Sequence, residues 1–275
     1  MATTAPTSVT HTAPVLLERR GHTLWLRLNR PATMNGLNQD ILDGLHRGLD
    51  DAESDPQLRC VVLAAEGKAF CAGADLTYAQ KLSNEPRRGR YSAGQLFLRR
   101  VRSLLDRLEA FDRPTIAAVQ GITVGGGLEL VLCCDLVIAA RSARIGDGHA
   151  KYGQIPGGGA SVRLTRRVGL SRTKHLMFTG DLFPAAFFEH TDLLTAVVDD
   201  DRLEADVDAL AERIAANSPV GLSRMKMLAN DNLQVPHAVG LTAELEQSAL
   251  HETSVDWREG IAAFNERRTP KFIGQ

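Results

Sequence analysis

The chain has 275 residues, of which 44% are hydrophobic and 24% are charged, proportions typical of a folded globular protein and not of a disordered or fibrous one. Its 32 basic and 33 acidic residues leave a net charge of −1, which excludes a general electrostatic attraction to nucleic acid or membrane surfaces. The four cysteines have no CxxC spacing and predict reduced thiols in a cytoplasmic compartment.

The N-terminal residues 1–14 have neither the basic segment nor the apolar segment of a secretory signal, and we expect a disordered tail there. The longest apolar stretch covers residues 116–134, but several glycines, Gln120 and Glu129 interrupt it. We therefore expect no membrane span.

The first half of the chain shows strand and helix patterns in turn. Residues 22–29 alternate apolar and polar side chains and predict a half-buried strand, and residues 37–53 repeat apolar side chains at helical spacing. Asn35 is the predicted cap of this helix. A buried strand at residues 60–65 leads into a predicted loop of small residues at 67–76.

The alternation continues further along the chain. A helix is predicted at residues 92–111, followed by strands at 115–119, 136–140 and 144–145. Glycines at 157–159 then precede an amphipathic helix at residues 160–168.

Beyond residue 201 the pattern is helical, with predicted helices at residues 203–217, 219–230 and 243–251. Periodicity alone thus predicts an α/β core followed by a helical region. It does not distinguish a doubly wound sheet from a barrel or from a spiral of ββα units.

Three consecutive glycines, residues 125–127, follow an apolar strand pattern and open a helix-like segment. Without a Cβ, their backbone N–H groups can approach a ligand closely. Glu129 follows two residues later and places one carboxylate in an apolar run, which favours acid–base chemistry.

Five segments, in this order and spacing, closely resemble the enoyl-CoA hydratase/isomerase (crotonase) superfamily. They are LNRPATMNGLNQDIL (28–42), GKAFCAGADL (67–76), AAVQGITVGGGLELVLCCDLVIAA (117–140), GQIPGGGASVRLTRRVG (153–169) and WREGIAAFNERRTPKF (257–272). The resemblance implies an α/β fold with a crotonase-like spiral of ββα units at residues 15–200. It also implies a C-terminal helical region at 201–275 that forms homotrimers or homohexamers and covers coenzyme A.

The resemblance further implies that backbone N–H groups of Ala74 and Gly126 form an oxyanion hole for the thioester oxygen. Fixed donors of this kind stabilise an enolate oxygen strongly in a dry pocket. By the same resemblance, the residues that bind the acyl-CoA substrate are Ala72, Asp75, Leu76, Gly125 and Lys271. Weaker candidates are Arg87, Arg88 and Arg90 for the CoA phosphates, and Tyr78, Tyr91 and Tyr152 for an acyl pocket.

Glu129 matches the first of the family's two catalytic glutamates, whereas the position of the second holds His149. An imidazole titrates near neutral pH and can handle a proton beside Glu129, so both residues are predicted to be catalytic. Two alternatives are that His149 only fills space, or that Asp147 supplies the second carboxylate.

The resulting expectation is an enoyl-CoA hydratase-like lyase in which Glu129 activates water. The alternatives are an acyl-CoA thioester or β-dicarbonyl hydrolase, an isomerase, and a non-enzymatic scaffold or RNA-binding homologue. We expect no metal, no cofactor apart from the coenzyme A of the substrate, and neither nucleic acid nor membrane as a partner.

Overall fold

The computed structural model describes residues 13–87 and 89–275, so the predicted tail, except for its last two residues, and Arg88 lie outside the described part. Ten strands are found there: β1 (Val15–Arg20), β2 (Thr23–Leu28), β3 (Cys60–Ala65), β4 (Ala69–Cys71), β5 (Thr115–Val119), β6 (Ile122–Val124), β7 (Leu136–Ala140), β8 (Arg144–Gly146), β9 (Phe183–Pro184) and β10 (Ala196–Val198). The α-helices of the same residues are α1 (Gln39–Ser54), α2 (Leu76–Ser83), α3 (Ala93–Glu109), α4 (Gly126–Leu132), α5 (Ala160–Val168), α6 (Leu170–Thr179), α7 (Leu203–Ala215), α8 (Pro219–Asp231), α9 (His237–Glu252) and α10 (Val255–Glu266).

The strands form two sheets, and the chain passes repeatedly from the larger sheet to the smaller one. The larger sheet has the order β1-β2-β3-β5-β7-β10 and is parallel except for β1, while the smaller has the order β4-β6-β8-β9 and is parallel except for β9. Strands β3, β5 and β7 of the larger sheet each continue into a strand of the smaller one, namely β4, β6 and β8. This repeat confirms the predicted spiral of ββα units.

The larger sheet is covered on both faces, which corrects the prediction of a half-buried strand at residues 22–29. All six residues of β2 are buried. Leu26 packs in the core beneath α1 and α3, whereas Trp25 packs with Val207 of α7 on the other face. Arg27 is buried as well, and the cost of burying its charge is offset by Glu204, which pairs with the guanidinium at 2.8 Å.

The predicted cap of the first helix is wrong by three residues. Asn38 is the residue that caps α1, since its side chain accepts the N–H of Ile41 at 3.0 Å. Asn35 is instead a buried connector in a left-handed conformation with φ of 55°. Its amide accepts the N–H of Arg30 and donates to the carbonyls of Glu66 and Ala69, so it joins the segment before α1 to the segment before and within β4.

Two further boundaries differ from the sequence-based expectation. The segment predicted as a loop at residues 67–76 contains β4, whose buried residues Ala69–Cys71 pair with β6. The last predicted helix, at residues 243–251, is longer in the structure, where α9 begins directly after Pro236 and extends to Glu252. Its exposed apolar side chains hide the helical periodicity on which the prediction relied.

The C-terminal helices attach to the edge of the larger sheet where the parallel strands begin. Lys226 of α8 pairs with Asp135, just before β7, at 2.8 Å. Arg59, just before β3, donates to the carbonyl of Phe272 at 2.7 Å. The loops that follow β4, β6 and β8 therefore lie towards the other edge. Across the described residues, none of the helices has the length and apolarity needed to cross a bilayer.

Candidate active site

Three loops meet where the parallel strands end. The first follows β4 and contains Ala74, the second joins β6 to α4 at Gly125 and Gly126, and the third follows β8 and contains Asp147 and His149. Parallel strands leave their carboxyl ends at one edge of a sheet, which brings these loops together although they are far apart in sequence.

The loop after β4 leaves the backbone N–H of Ala74 unused by its neighbour. Leu37 pairs with this loop as in a parallel sheet, donating to the carbonyl of Gly73 at 2.7 Å and accepting the N–H of Asp75 at 3.0 Å. In such pairing the central residue directs its own N–H to the opposite side. The N–H of Ala74 therefore points away from Leu37.

The N–H of Gly126 is a second available donor. Gly126 is the first residue of α4, where helix geometry provides no acceptor for the N–H. A Cβ at Gly73 would lie 3.5 Å from this nitrogen and 3.7 Å from the Cα of Gly125, so the first two loops touch. Gly73 and Gly125 have φ of 90° and 57°, values that favour glycine.

Glu129 lies in the first turn of α4 with only 3% of its surface exposed. Its Oε1 accepts the N–H of Gly158 at 2.8 Å and the N–H of Ala160 at 3.2 Å. These donors come from the start of α5, where the helix dipole also favours a negative charge. The carboxylate is therefore buried yet held in a fixed orientation.

Arg163 braces the segment that holds Glu129. Its guanidinium donates to the carbonyl of Gly158 at 2.6 Å and also pairs with Asp106 and Glu109 of α3, at 2.8 and 2.6 Å. Arg163 is 7% exposed, so these partners satisfy a buried charge. The position of the Glu129 carboxylate thus depends on α3 as well as on α5.

His149 lies next to a buried aspartate in the third loop. Its Nδ1 is 3.1 Å from Oδ2 of Asp147, and its backbone N–H donates to Oδ1 of the same carboxylate at 3.3 Å. Asp147 is 1% exposed. Cε1 of the His149 ring would lie 3.8 Å from a Cβ at Gly125, so the ring faces the second loop.

Burial and mutual charge move the titration of both predicted catalytic side chains. Burial raises the pKa of Glu129 above its usual value, although the N–H groups of Ala160 and Gly158 and the charge of His149 act in the opposite direction. Burial lowers the pKa of His149, but the hydrogen bond and charge of Asp147 and the charge of Glu129 outweigh it, and the pKa is raised. The two groups thus act on each other, since the charge of His149 lowers the pKa of Glu129 and the charge of Glu129 raises the pKa of His149.

Comparison with known proteins decides the family. Residues 18–275 match the enoyl-CoA hydratase/isomerase family. The chain belongs to this family. It is 33% identical to a crotonyl-CoA hydratase of Syntrophomonas wolfei over 262 residues, which cover 95% of this chain and 98% of that protein.

Other members of the family agree with this assignment. A mitochondrial methylglutaconyl-CoA hydratase of Mus musculus is 32% identical over 264 residues, 94% of this chain and 81% of that protein. The crystal structure of an enoyl-CoA hydratase from Bacillus anthracis superposes with a TM-score of 0.88 at 32% identity, covering 95% of this chain and all of that one. The protein is thus an enzyme of the hydratase/isomerase family, while its cytoplasmic location stays a prediction.

The residues predicted to bind CoA in this hydratase-like enzyme differ in exposure and in the partners that they already have within the protein. Ala72 donates its N–H to the carbonyl of Met34, and Leu76 is 68% exposed at the start of α2. The Asp75 carboxylate is engaged within the protein, since it caps α2 at the N–H of Tyr78 and pairs with Arg30 at 2.9 Å. These positions line the loop, and their contacts with CoA stay predictions.

Lys271 lies apart from the three loops of its own chain. Its backbone N–H donates to Glu259, and the next residue, Phe272, binds Arg59 at the edge where β3 begins. Ala74 lies beyond the opposite end of that strand, after β4. The structure therefore does not bring Lys271 and Ala74 together at one edge of the sheet.

The described residues among the weaker candidates lie in various surroundings, and Arg87 donates to the carbonyl of Arg90 at 2.9 Å. Tyr78 packs edge-on against Phe97 at 5.1 Å, Tyr152 is 72% exposed, and Tyr91 lies beneath the guanidinium groups of Arg90 and Arg99.

Sequence reasoning missed the groups that hold the two catalytic candidates. The N–H groups of Gly158 and Ala160 lie about thirty positions beyond Glu129, and only the glycines at 157–159 marked the segment. The sequence suggests Asp147 as an alternative second carboxylate but does not show that its side chain contacts His149, as it does in the structure. The thiol of Cys71 contributes no nucleophile near the first loop, because burial raises its pKa to about 12.

Gly158→Ala is expected to disturb Glu129 directly. The new Cβ would lie 2.5 Å from Oε2 of Glu129 and 2.5 Å from Cδ1 of Leu105. We expect turnover to fall about 100-fold, as displacement of a reacting group by 1 Å does, and stability to fall by about 1–3 kcal/mol. Steady-state kinetics and urea unfolding measure the two effects.

Gly94→Ala is the matched control, because a Cβ at this helical position meets only Ser92 Oγ, at 3.9 Å. It is expected to keep full activity. Unchanged turnover in Gly158→Ala would contradict the placement of Glu129.

Proposed function

We propose that this enzyme adds water to the double bond of a 2-enoyl-CoA thioester. The observation that carries the proposal is the buried Glu129 carboxylate, held by two N–H groups beside loops that offer two more. A fixed carboxylate in a dry pocket is a suitable base for water. The names of the hydratases to which the chain is similar support the same reaction.

In this proposal the thioester oxygen lies between the N–H groups of Ala74 and Gly126. When hydroxide adds to C3 of the enoyl group, the electrons of the C2–C3 double bond move towards that oxygen and form an enolate. Preorganised donors stabilise the enolate more than the starting thioester, and each lowers the activation barrier by about 3 kcal/mol. The side chain at position 74 matters little because the donor belongs to the backbone.

Glu129 takes the proton from the attacking water, and His149 supplies the proton that reaches C2. The productive form is thus an ionised Glu129 with a protonated His149. Protonation of Glu129 sets the acidic limb of the pH–rate profile, and loss of the His149 proton sets the alkaline limb. Because the pKa of each group is raised, both limbs lie at higher pH than they would for the unperturbed side chains.

The CoA part of the substrate is proposed to cross the first loop. Ala72, Leu76 and Gly125 offer backbone and apolar surface next to Ala74, and Asp75 stiffens the loop through Arg30. A contact between CoA and Lys271 is proposed to come from a neighbouring copy of the chain, because Lys271 lies at the other edge of the sheet in its own chain.

Glu129→Gln tests the reaction. The amide cannot accept the proton of water, so hydration of crotonyl-CoA is expected to fall by at least about 1,000-fold while the fold is kept. Loss of the enoyl absorbance without release of free thiol identifies hydration. Glu212→Gln, at an exposed site of α7, is the control and keeps wild-type turnover. Release of free thiol by the wild-type protein would contradict the proposed hydration and indicate thioester hydrolysis instead.

A pair of substitutions at Gly126 tests the oxyanion donor. Both Gly126→Ala and Gly126→Pro bring a Cβ within 2.7 Å of Leu37 Cδ1, but only proline removes the N–H. Proline is tolerated at the first position of a helix. We expect turnover of the proline variant to be about 100-fold below that of the alanine variant. Equal rates in two variants with wild-type circular dichroism would refute this role of Gly126.

We further propose that the helical region at residues 201–275 joins copies of the chain into trimers or hexamers. More than half of the exposed large apolar side chains in the described residues lie on this region, among them Phe264 at 83% and Leu245 at 72%. Apolar surface of this extent is typical of an interface.

Analytical ultracentrifugation at micromolar concentration tests the assembly. The wild-type protein and the Glu212→Gln control are expected to sediment as trimers or hexamers. Phe264→Glu is expected to shift the population towards monomer, because a charge would be buried in the contact. A wild-type monomer under these conditions would exclude the proposal.

A further inference from the structure

Asp147 and His149 form a pair that the backbone shapes. Gly148, between them, has φ of 73°, and any Cβ there would overlap Cγ2 of Val124. The tight turn at glycine returns the His149 ring to the Asp147 carboxylate, with 3.1 Å between Nδ1 and Oδ2. The two side chains are 17% and 1% exposed, so the contact is largely shielded from water.

The carboxylate assigns different roles to the two ring nitrogens. A carboxylate beside Nδ1 keeps the hydrogen on that nitrogen in both the neutral and the cationic imidazole. Nε2 is then the nitrogen that gains and loses a proton. Cε1, which is bonded to Nε2, would lie 3.8 Å from a Cβ at Gly125, so this part of the ring is close to the second loop.

Few other charges influence this pair. Glu129 on α4 is the second carboxylate that acts on His149. Lys151, on the same turn, pairs with Asp181 at 2.8 Å, next to the end of α6. Among the described residues, Asp147 is therefore the charge that His149 binds directly, while Glu129 is committed to the N–H groups of Gly158 and Ala160.

We propose that Asp147 is a positioning residue, which holds the hydrogen of His149 on Nδ1 and orients the ring so that Nε2 delivers the second proton. This inference rests on the proposed hydration, in which His149 protonates C2. In this role Asp147 neither contacts the substrate nor transfers a proton. By stabilising the imidazolium, it extends the proton-donating form of His149 to higher pH.

The side chain of Asp147 can be tested without removing the backbone contact of the same residue. Its carbonyl accepts the N–H of Gly125 at 3.0 Å, and this bond holds the second and third loops together. Asp147→Asn preserves that bond and nearly the size of the side chain, while it removes the charge and replaces one acceptor oxygen with an NH₂ donor.

The kinetic test compares Asp147→Asn, His149→Ala and the double variant. We expect Asp147→Asn to lower kcat by about 10- to 100-fold, with KM changed less than about twofold, and to move the alkaline limb of the pH–rate profile to lower pH. In the His149→Ala background the same change is expected to have no further effect on kcat. Asp181→Asn, at an exposed aspartate near the same turn, is the control with wild-type kinetics.

A second measurement does not depend on activity. Long-range ¹H–¹⁵N spectra of protein labelled at its eight histidines identify the His149 signal by its loss in His149→Ala. The neutral ring is expected to carry its hydrogen on Nδ1 in the wild type and to shift towards the Nε2–H tautomer in Asp147→Asn.

The outcomes separate the two proposals. A tautomer change in a protein without hydratase activity would keep the positioning role and reject the proposed reaction. An unchanged tautomer and pH profile in folded Asp147→Asn, or an equal loss of kcat with and without His149, would overturn the positioning role.

Discussion

The burial of one carboxylate is the constraint on which the site depends. A charged group loses its hydration when it is buried, and only hydrogen bonds or opposite charges offset that cost. Glu129 meets this requirement through the N–H groups of Gly158 and Ala160 at the start of α5. The donors stabilise the anion without transferring a proton to it, so the carboxylate remains able to act as a base.

Residues outside the three loops also help to hold the donors that stabilise the Glu129 carboxylate. The donor at Gly158 stays in place because Arg163 binds the carbonyl of the same residue, and Arg163 is fixed by the acidic side chains of α3. Glycine is needed at position 158 because Oε2 of Glu129 occupies the space of its Cβ. The packing of α3 against α5 thus helps to set the position of the Glu129 carboxylate, although that carboxylate belongs to α4.

The sequence predicted the parts that depend on local pattern and on family motifs. The strand at residues 60–65 and the burial of Glu129 follow from continuous apolar runs, and the structure has both. Asn35 was mistaken for a helix cap because an asparagine before a helix carries the same local signal in either role, and only the distant carbonyls of Glu66 and Ala69 distinguish them. The clamp on Glu129 joins segments that no periodicity relates.

Position 149 shows why a departure from a family motif involves its neighbours. Glu129 and Asp147 are both buried, so a third carboxylate between them would add like-charge repulsion in a setting with little water to screen it. An imidazole there can carry the compensating positive charge. Conversely, Asp147 without His149 would lose its imidazole partner at 3.1 Å. Asp147 and His149 are therefore best understood as one unit, with Gly148 as the turn that makes the pair possible.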